Sequence, residues 1–421
     1  MRDLILTLIV FGSVPLILFR PWVGIIMWCW LGFMNPHRYT WGFAINFPFA
    51  VVIALATITG WLFNGPKRFP FTRETVLLIF FTVWTLVTTF FALNPAAARL
   101  ESERFLKIML MVFLTLMLIN NRKYLNYLIW TIVVSVGFFG VKGGLFTIVT
   151  GGNYLIWGPP DSFMEGNNEI GLALLVIIPL MLYLYRTNSN YWVKQGLRAS
   201  IFLCIVAVVG TYSRGALVGL VATWCFLIWK SKRRTLLLGF TLAATLILLP
   251  LMPVSWWGRM GTISDYQADS SAMGRINAWH FAFNLANHRP LTGGGFGTFS
   301  QDLFQIYAPE PDLFVDAHSI YFEVLGEQGY LGLIVYVLLI VSLWRACTLV
   351  IRSASDDEHN RWLTELARMA QVSLAAFASS GAFLGLAYFD LYYNIVAIIV
   401  LIKMFAVEQI DSPGTAEATE W

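Results

Sequence analysis

Charge is scarce in this chain. Of its 421 residues 12% are charged and 58% hydrophobic, whereas soluble globular chains carry about 25% charged residues. That deficit excludes an ordinary soluble domain. Cysteine is scarce too: Cys29, Cys204, Cys225 and Cys347 all lie in apolar stretches and make no C-x-x-C pair. Neither a disulfide framework nor a zinc site is implied. No basic arm or aromatic–basic pattern marks a nucleic-acid surface, and a net charge of +4 selects no class of partner. There is no repeat of a soluble module and no low-complexity tract. The short alternating segments of a transmembrane β-barrel are also missing.

What the chain does have is long apolar runs. They fall near 4–19, 22–34, 44–63, 75–93, 104–120, 124–149, 168–186, 197–212, 214–230, 234–252, 328–351, 366–388 and 390–408. Runs of this length cross about 30 Å of hydrocarbon as helix, so the chain reads as an all-α polytopic membrane protein of about twelve crossings. The first two runs are short and split by Arg20-Pro21. They are either two thin crossings or one broken helix or re-entrant hairpin. The first run has no small-residue cleavage site and reads as a retained helix.

Lysine and arginine set the orientation. "GPKRFPFTR" (65–73), "NRK" (121–123), "KQGLR" (194–198) and "KSKRR" (230–234) alternate with loops poorer in both. These basic loops are expected in the cytoplasm, with 94–103, 150–167, 212–214 and 253–327 facing outward. Twelve crossings put both termini inside. The organisation is therefore an N-terminal bundle (1–252), a large outward loop (253–327), C-terminal transmembrane helices (328–408) and a small acidic tail (409–421) expected to be disordered.

The outward loop has no lysine, three arginines and eight carboxylates, a net charge of −5. It holds His280, His288 and His318. Within it, "SSAMGRINAWHFAFNLANHRP" reads as an amphipathic helix capped by Ser270 or Ser271. Ile276, Trp279, Phe283 and Ala286 form one stripe, opposite Asn277, His280, Asn284 and Asn287. Such a helix suits the membrane surface. The triglycine that follows reads as a flexible turn or as a phosphate-cradling nest; no P-loop lysine accompanies it.

Three residues stand out as candidates for chemistry. His318 is expected in the first turn of the helix leading into the 328–351 run, with Asp316 near its N-cap. The helix dipole keeps an imidazole there neutral, as a general base requires. The alternative is an interfacial histidine bonded to a carbonyl. Arg214 sits in a tight outward turn, where positive-inside statistics disfavour arginine, so an anionic partner is implied; the alternative is an anchor to lipid headgroups. Tyr212 beside it is a candidate substrate contact. Gly215 and Gly219 read as close helix packing. Arg275 opposes the dipole of its own helix, which suggests that it is held for an anion; the alternative is pairing with Asp265 or Asp269.

Lys142, Arg289 and Arg99 are further outward cations. Asp390 either orients His318 or caps a helix. Glu165, Asn168 and Glu169 open another crossing, where capping is the plain reading. Asp302, Glu310, Asp312 and Asp316 match no calcium loop, no histidine pair has zinc spacing, and "DYQAD" is not the D-x-D of metal-dependent glycosyl transfer. No metal and no cofactor are expected.

Taken together, "TYSRGALVGL", "GRINAWHFAF", "HRPLTGGGFGTF" and "DAHSIYFEVLGEQGYLGL" resemble the bacterial O-antigen ligase and polymerase superfamily over about 165–335. The N-terminal part, with "FMNPHRYTWG", is similar to O-glycosylation ligases linked to exosortase systems. The resemblance implies a GT-C-like membrane glycosyltransferase. Such an enzyme moves a glycan from undecaprenyl diphosphate to an acceptor at the periplasmic face of the inner membrane, the acceptor in ligases being the lipid A–core of lipopolysaccharide. The family's functional arginines and histidine fall on Arg214, Arg275 and His318. Polymerization, protein O-glycosylation, and transport by a polysaccharide transporter or flippase are the competing readings. A transporter would place ionisable groups near the midplane and show repeats.

Overall fold

A computed structural model describes residues 1–230, 234–235, 238–239, 253–261, 270–353 and 360–411. Its order is α1 (Arg2–Phe19), α2 (Trp22–Met34), α3 (Phe49–Asn64), α4 (Arg73–Phe90), α5 (Pro95–Leu118), α6 (Arg122–Val149), α7 (Asn167–Thr187), α8 (Tyr191–Gly210), α9 (Arg214–Lys230), α10 (Val254–Gly261), α11 (Ser270–His288), α12 (Gln301–Tyr307), α13 (Ile320–Ser353), α14 (Arg361–Ser380) and α15 (Asp390–Asp411). Among the described residues there is no strand.

By length and composition seven helices can cross a membrane: α1, α4, α6, α7, α8, α13 and, over Asp390–Glu408, α15. Helices α2, α3 and α9 are apolar but shorter. The runs expected near 104–120 and 366–388 form α5 and α14, which carry charged residues toward their starts. The run at 234–252 and the acidic tail beyond Asp411 lie outside the described residues, apart from 234–235 and 238–239. The apolar windows of α7 and α15 are 78% buried and that of α1 only 17%, so α7 and α15 form the centre and α1 faces lipid.

The first two apolar runs are two helices, not one. Pro21 takes the N-cap position of α2, and the Arg20 and Pro21 carbonyls accept from Val23 and Gly24 N–H, closing a tight turn. Asn64 Nδ2 donates to Leu18 O (2.8 Å), so this turn sits beside the basic 65–73 stretch. At the far end of α1, Asp3 accepts from Gly42 N (3.0 Å) and Ala44 N (3.2 Å). The N-terminus therefore lies at the end of the bundle opposite the basic stretch. The C-terminal part of α15 lies at the basic end, where Lys403 pairs with Glu74 at 2.7 Å. Expecting both termini on one side was thus in error, because the extra turn at Arg20-Pro21 changes the parity of the crossings. Arg2→Cys and Gln301→Cys, with exposed Cys225 replaced, should both react with an impermeant thiol reagent in spheroplasts, and Lys67→Cys should not. Labelling of Lys67→Cys but not Arg2→Cys would invert this arrangement.

Helix α13 is broken at Gly329, whose φ of 68° and ψ of −172° leave the helical region. The break is filled by protein. Gly294 N and Gly295 N donate to Gly326 O (2.8 Å) and Glu327 O (2.9 Å), and Tyr330 N donates to Pro290 O (2.9 Å). The Trp84 indole donates to Gln328 O at 3.0 Å. A Cβ on Gly329 would meet Leu291 O at 2.4 Å. The triglycine is therefore no phosphate nest: the Gly294 and Gly295 amides are spent on the break and that of Gly293 on Arg289 O at the end of α11, and only glycine permits the approach.

Candidate functional site

His318 lies two residues before the start of α13 rather than in its first turn. Ser319 takes the capping position, its carbonyl accepting from Glu323 N at 2.8 Å. His318 itself is left-handed, with φ 42°, a region visited by few side chains but several-fold enriched in histidine. Its flanks hold it there. Ala317 and Ser319 are buried, and the Trp279 indole donates to Ala317 O at 2.9 Å. Trp279 also stacks on Phe322, 5.1 Å between ring centres at an interplanar angle of 9°. This aromatic, expected to face the membrane surface, instead fixes the histidine's loop.

The stripe expected on α11 is rotated. Gly274, Asn277, Ala278, Phe281 and Leu285 are buried, whereas Phe283 is exposed. Asn277 is buried because it serves the 310–313 segment: its Nδ2 donates to Glu310 O (2.8 Å) and Leu313 O (2.9 Å), and its Oδ1 accepts from Glu310 N (3.0 Å). Asn284 donates to Tyr307 O at 2.9 Å. These amides read as a solvent face but satisfy loop backbone.

Half-buried Arg275, in the second turn of α11, shares the electrostatic environment of His318 with Asp316. Burial, chiefly, and then the Arg275 charge hold the imidazole's pKa below its ordinary value of 6.5, while Asp316 pulls it up. Glu169, at the start of α7, feels the same Arg275 and Asp316. Asp265 and Asp269, the alternative partners for Arg275, lie outside the described residues.

Arg214 is the first residue of α9. Ser213 Oγ caps that helix, accepting from Ala216 N at 3.1 Å. Asn167 Nδ2, at the start of α7, donates to Thr211 O at 2.8 Å, so α7 and α9 begin side by side. Gly215 and Gly219 pack on α14, where Ser380 Oγ donates to Gly215 O at 3.2 Å, as the G-x-x-x-G spacing implies. Phe383 joins the two halves: a Cβ on Gly215 would touch it at 3.2 Å, and its ring lies 6.4 Å from that of Trp279. The starts of α7, α9 and α13 thus lie at the same end of the bundle, where Arg275, His318, Asp316 and Glu169 share one electrostatic environment and Arg214 opens α9 beside α7. Helix N-termini favour anions there.

The remaining candidates lie elsewhere. Buried Tyr212 donates its hydroxyl to Gly152 O, bracing the turn. Arg289 donates to Phe91 O (2.5 Å) and to Thr292 (3.3 Å), 14 residues, or about 20 Å, along α11 from Arg275. Lys142 lies 5.9 Å from the Tyr39 ring centre and lines a separate cavity of about 370 Å³ with Arg38. Asp390 faces Gly32, with Oδ2 3.4 Å from where a Cβ would stand, and lines a third cavity. The carboxylate beside the histidine's backbone is Glu323: its Oε2 and His318 N both lie 3.5 Å from the Cβ position of Gly385. Among the described residues no group of His, Cys, Asp and Glu is arranged to hold a metal ion.

Sequence reasoning missed a cavity of about 310 Å³ lined by Glu101, Arg104, Phe163, Asp316, Glu323, Glu327 and Tyr388. The i, i+4 spacing of Glu323 and Glu327 was the available signal.

The fold and this cluster define a multi-pass helical membrane protein whose polar site sits at the end of the bundle away from the basic 65–73 loop. Residues 199–337 match the family model described as O-antigen ligase, which supports an O-antigen ligase family assignment for that segment. Residues 1–189 match a family of unknown function. No curated protein matches the chain. The family acts as a glycosyltransferase-like ligase on lipid-linked glycans at the membrane.

Proposed function

We propose that this chain is an O-antigen ligase of GT-C-like fold: an inverting, metal-independent glycosyltransferase. It moves a glycan from undecaprenyl diphosphate to the lipid A–core of lipopolysaccharide on the periplasmic face of the inner membrane. The observation that carries the reading is the shared environment of Arg275, His318, Asp316 and Glu169 at the gathered helix starts. Arg214 and Arg275 hold the diphosphate and stabilise its growing charge. Diphosphate is already a good leaving group, so no general acid is required. Neutral His318 takes the proton from the acceptor hydroxyl as that oxygen attacks the anomeric carbon from the face opposite the diphosphate.

Purified protein incubated with lipid-linked glycan and lipid A–core should yield the ligated product, and should do so in excess EDTA. Activity lost to chelation and restored by magnesium would overturn metal independence. Product on a second lipid-linked glycan would mark a polymerase, and product on Ser or Thr a protein ligase. Glycan flipped across vesicles without transfer would mark a transporter.

A further inference from the structure

Glu327 is 6% exposed. Its Oε1 accepts from Gly297 N at 2.9 Å. Its buried Oε2 meets no donor within strict hydrogen-bond geometry among the described residues, and the Tyr388 hydroxyl interacts with this carboxyl. A buried carboxyl oxygen with so little donor contact is costly, and native folds seldom leave one. Glu327 and Tyr388 both line the 310 Å³ cavity. Glu323, one turn earlier, lines the same cavity and accepts from Ala387 N at 2.9 Å. Glu101 faces them from α5, and Phe163 and Phe299 supply aromatic walls.

The cavity is thus rich in acceptors, walled by rings, and of a size that takes a small ligand. A metal is a poor fit, since no donor group among the described residues is arranged for one. A sugar ring fits: its hydroxyls donate to carboxyl oxygens while its apolar face packs on aromatics. Asp316 and Ala317 carry the cavity to the His318 loop, whereas neither Arg214 nor Arg275 lines it. Arg104 and Phe163 also line a groove of about 800 Å³ walled partly by the N-terminal hairpin and its following loop, which leaves room for the rest of a large molecule.

We propose that this cavity is the acceptor-sugar subsite, in which Glu327 and Glu323 take hydrogen bonds from hydroxyls of the sugar that His318 deprotonates. The inference rests on the ligase reading above. Binding and transfer are therefore measured separately.

The probe is core oligosaccharide freed of lipid A by mild acid and labelled with fluorescein. Its polarisation is read on the detergent-solubilised full chain without donor. Glu327→Leu should weaken binding by about 2- to 10-fold, the loss expected when a hydrogen bond between neutral groups is removed. Glu327→Gln should fall between Glu327→Leu and wild type. Phe163→Ala, at a partly exposed wall, should weaken binding as well and decides the matter if Glu327→Leu does not fold. Unchanged affinity in the folded variants, or no binding by wild type, overturns the subsite. Failed transfer in the same wild-type preparation, with binding intact, overturns the ligase reading alone.

Discussion

His318→Ala lowers single-turnover transfer by about 10²–10⁴-fold, the usual worth of general-base assistance, while donor binding persists. His318→Gln, which keeps hydrogen-bonding capacity but cannot accept the proton at neutral pH, is nearly as poor. The pH profile carries the sign of the environment. Burial and Arg275 disfavour the imidazolium and Asp316 favours it, with a net pKa below 6.5. A base works when neutral, so the rate is full above that pKa and falls as pH drops through it. The acid limb thus lies below pH 6.5. Asp316→Asn removes the one group that raises the pKa and moves the limb lower still. Wild-type turnover in His318→Gln would make the histidine structural. An acid limb well above 6.5 would show that another group titrates.

Arg275→Lys and Arg214→Lys each fold normally and lose about 10²–10³-fold in transfer, the scale of a lost transition-state donor. A lysine keeps the charge but not the planar fork that matches a diphosphate. Arg275→Gln adds a second reading: it removes a charge that lowers the His318 pKa, so its acid limb moves up, whereas Arg275→Lys leaves the limb near wild type. Transfer near the wild-type rate in both lysine variants would reject the diphosphate clamp.

Much of this was legible in residue order. Apolar runs located the helices because a bilayer demands long unbroken stretches; Arg214 and Arg275 stood out because a cation conflicts with each place, and His318 because a helix start keeps an imidazole neutral. What was hidden depends on contacts remote in sequence. Asn277 is polar yet buried, because the carbonyls that it serves lie more than 30 residues on. Asp390 looked close enough to orient His318 but turns toward Gly32 in α2. Glu327 borders a cavity whose far wall comes from α5. The parity of the N-terminal hairpin was hidden because two short runs around Arg20-Pro21 satisfy either count.

The break at Gly329 bears on how the protein meets bilayers of different thickness. Beyond it, residues 330–353 form a rod about 36 Å long, enough to span the hydrocarbon with some tilt. Transmembrane rods relieve hydrophobic mismatch by changing that tilt. Here such a rod would have to swing about a junction clasped by Pro290, Gly294, Gly295 and Trp84. The short segment that carries His318 is mounted on the clasp, not on the rod. Changes of lipid length would then fall on the lipid-facing periphery, where α1 lies, and the histidine would keep its height above the bilayer midplane.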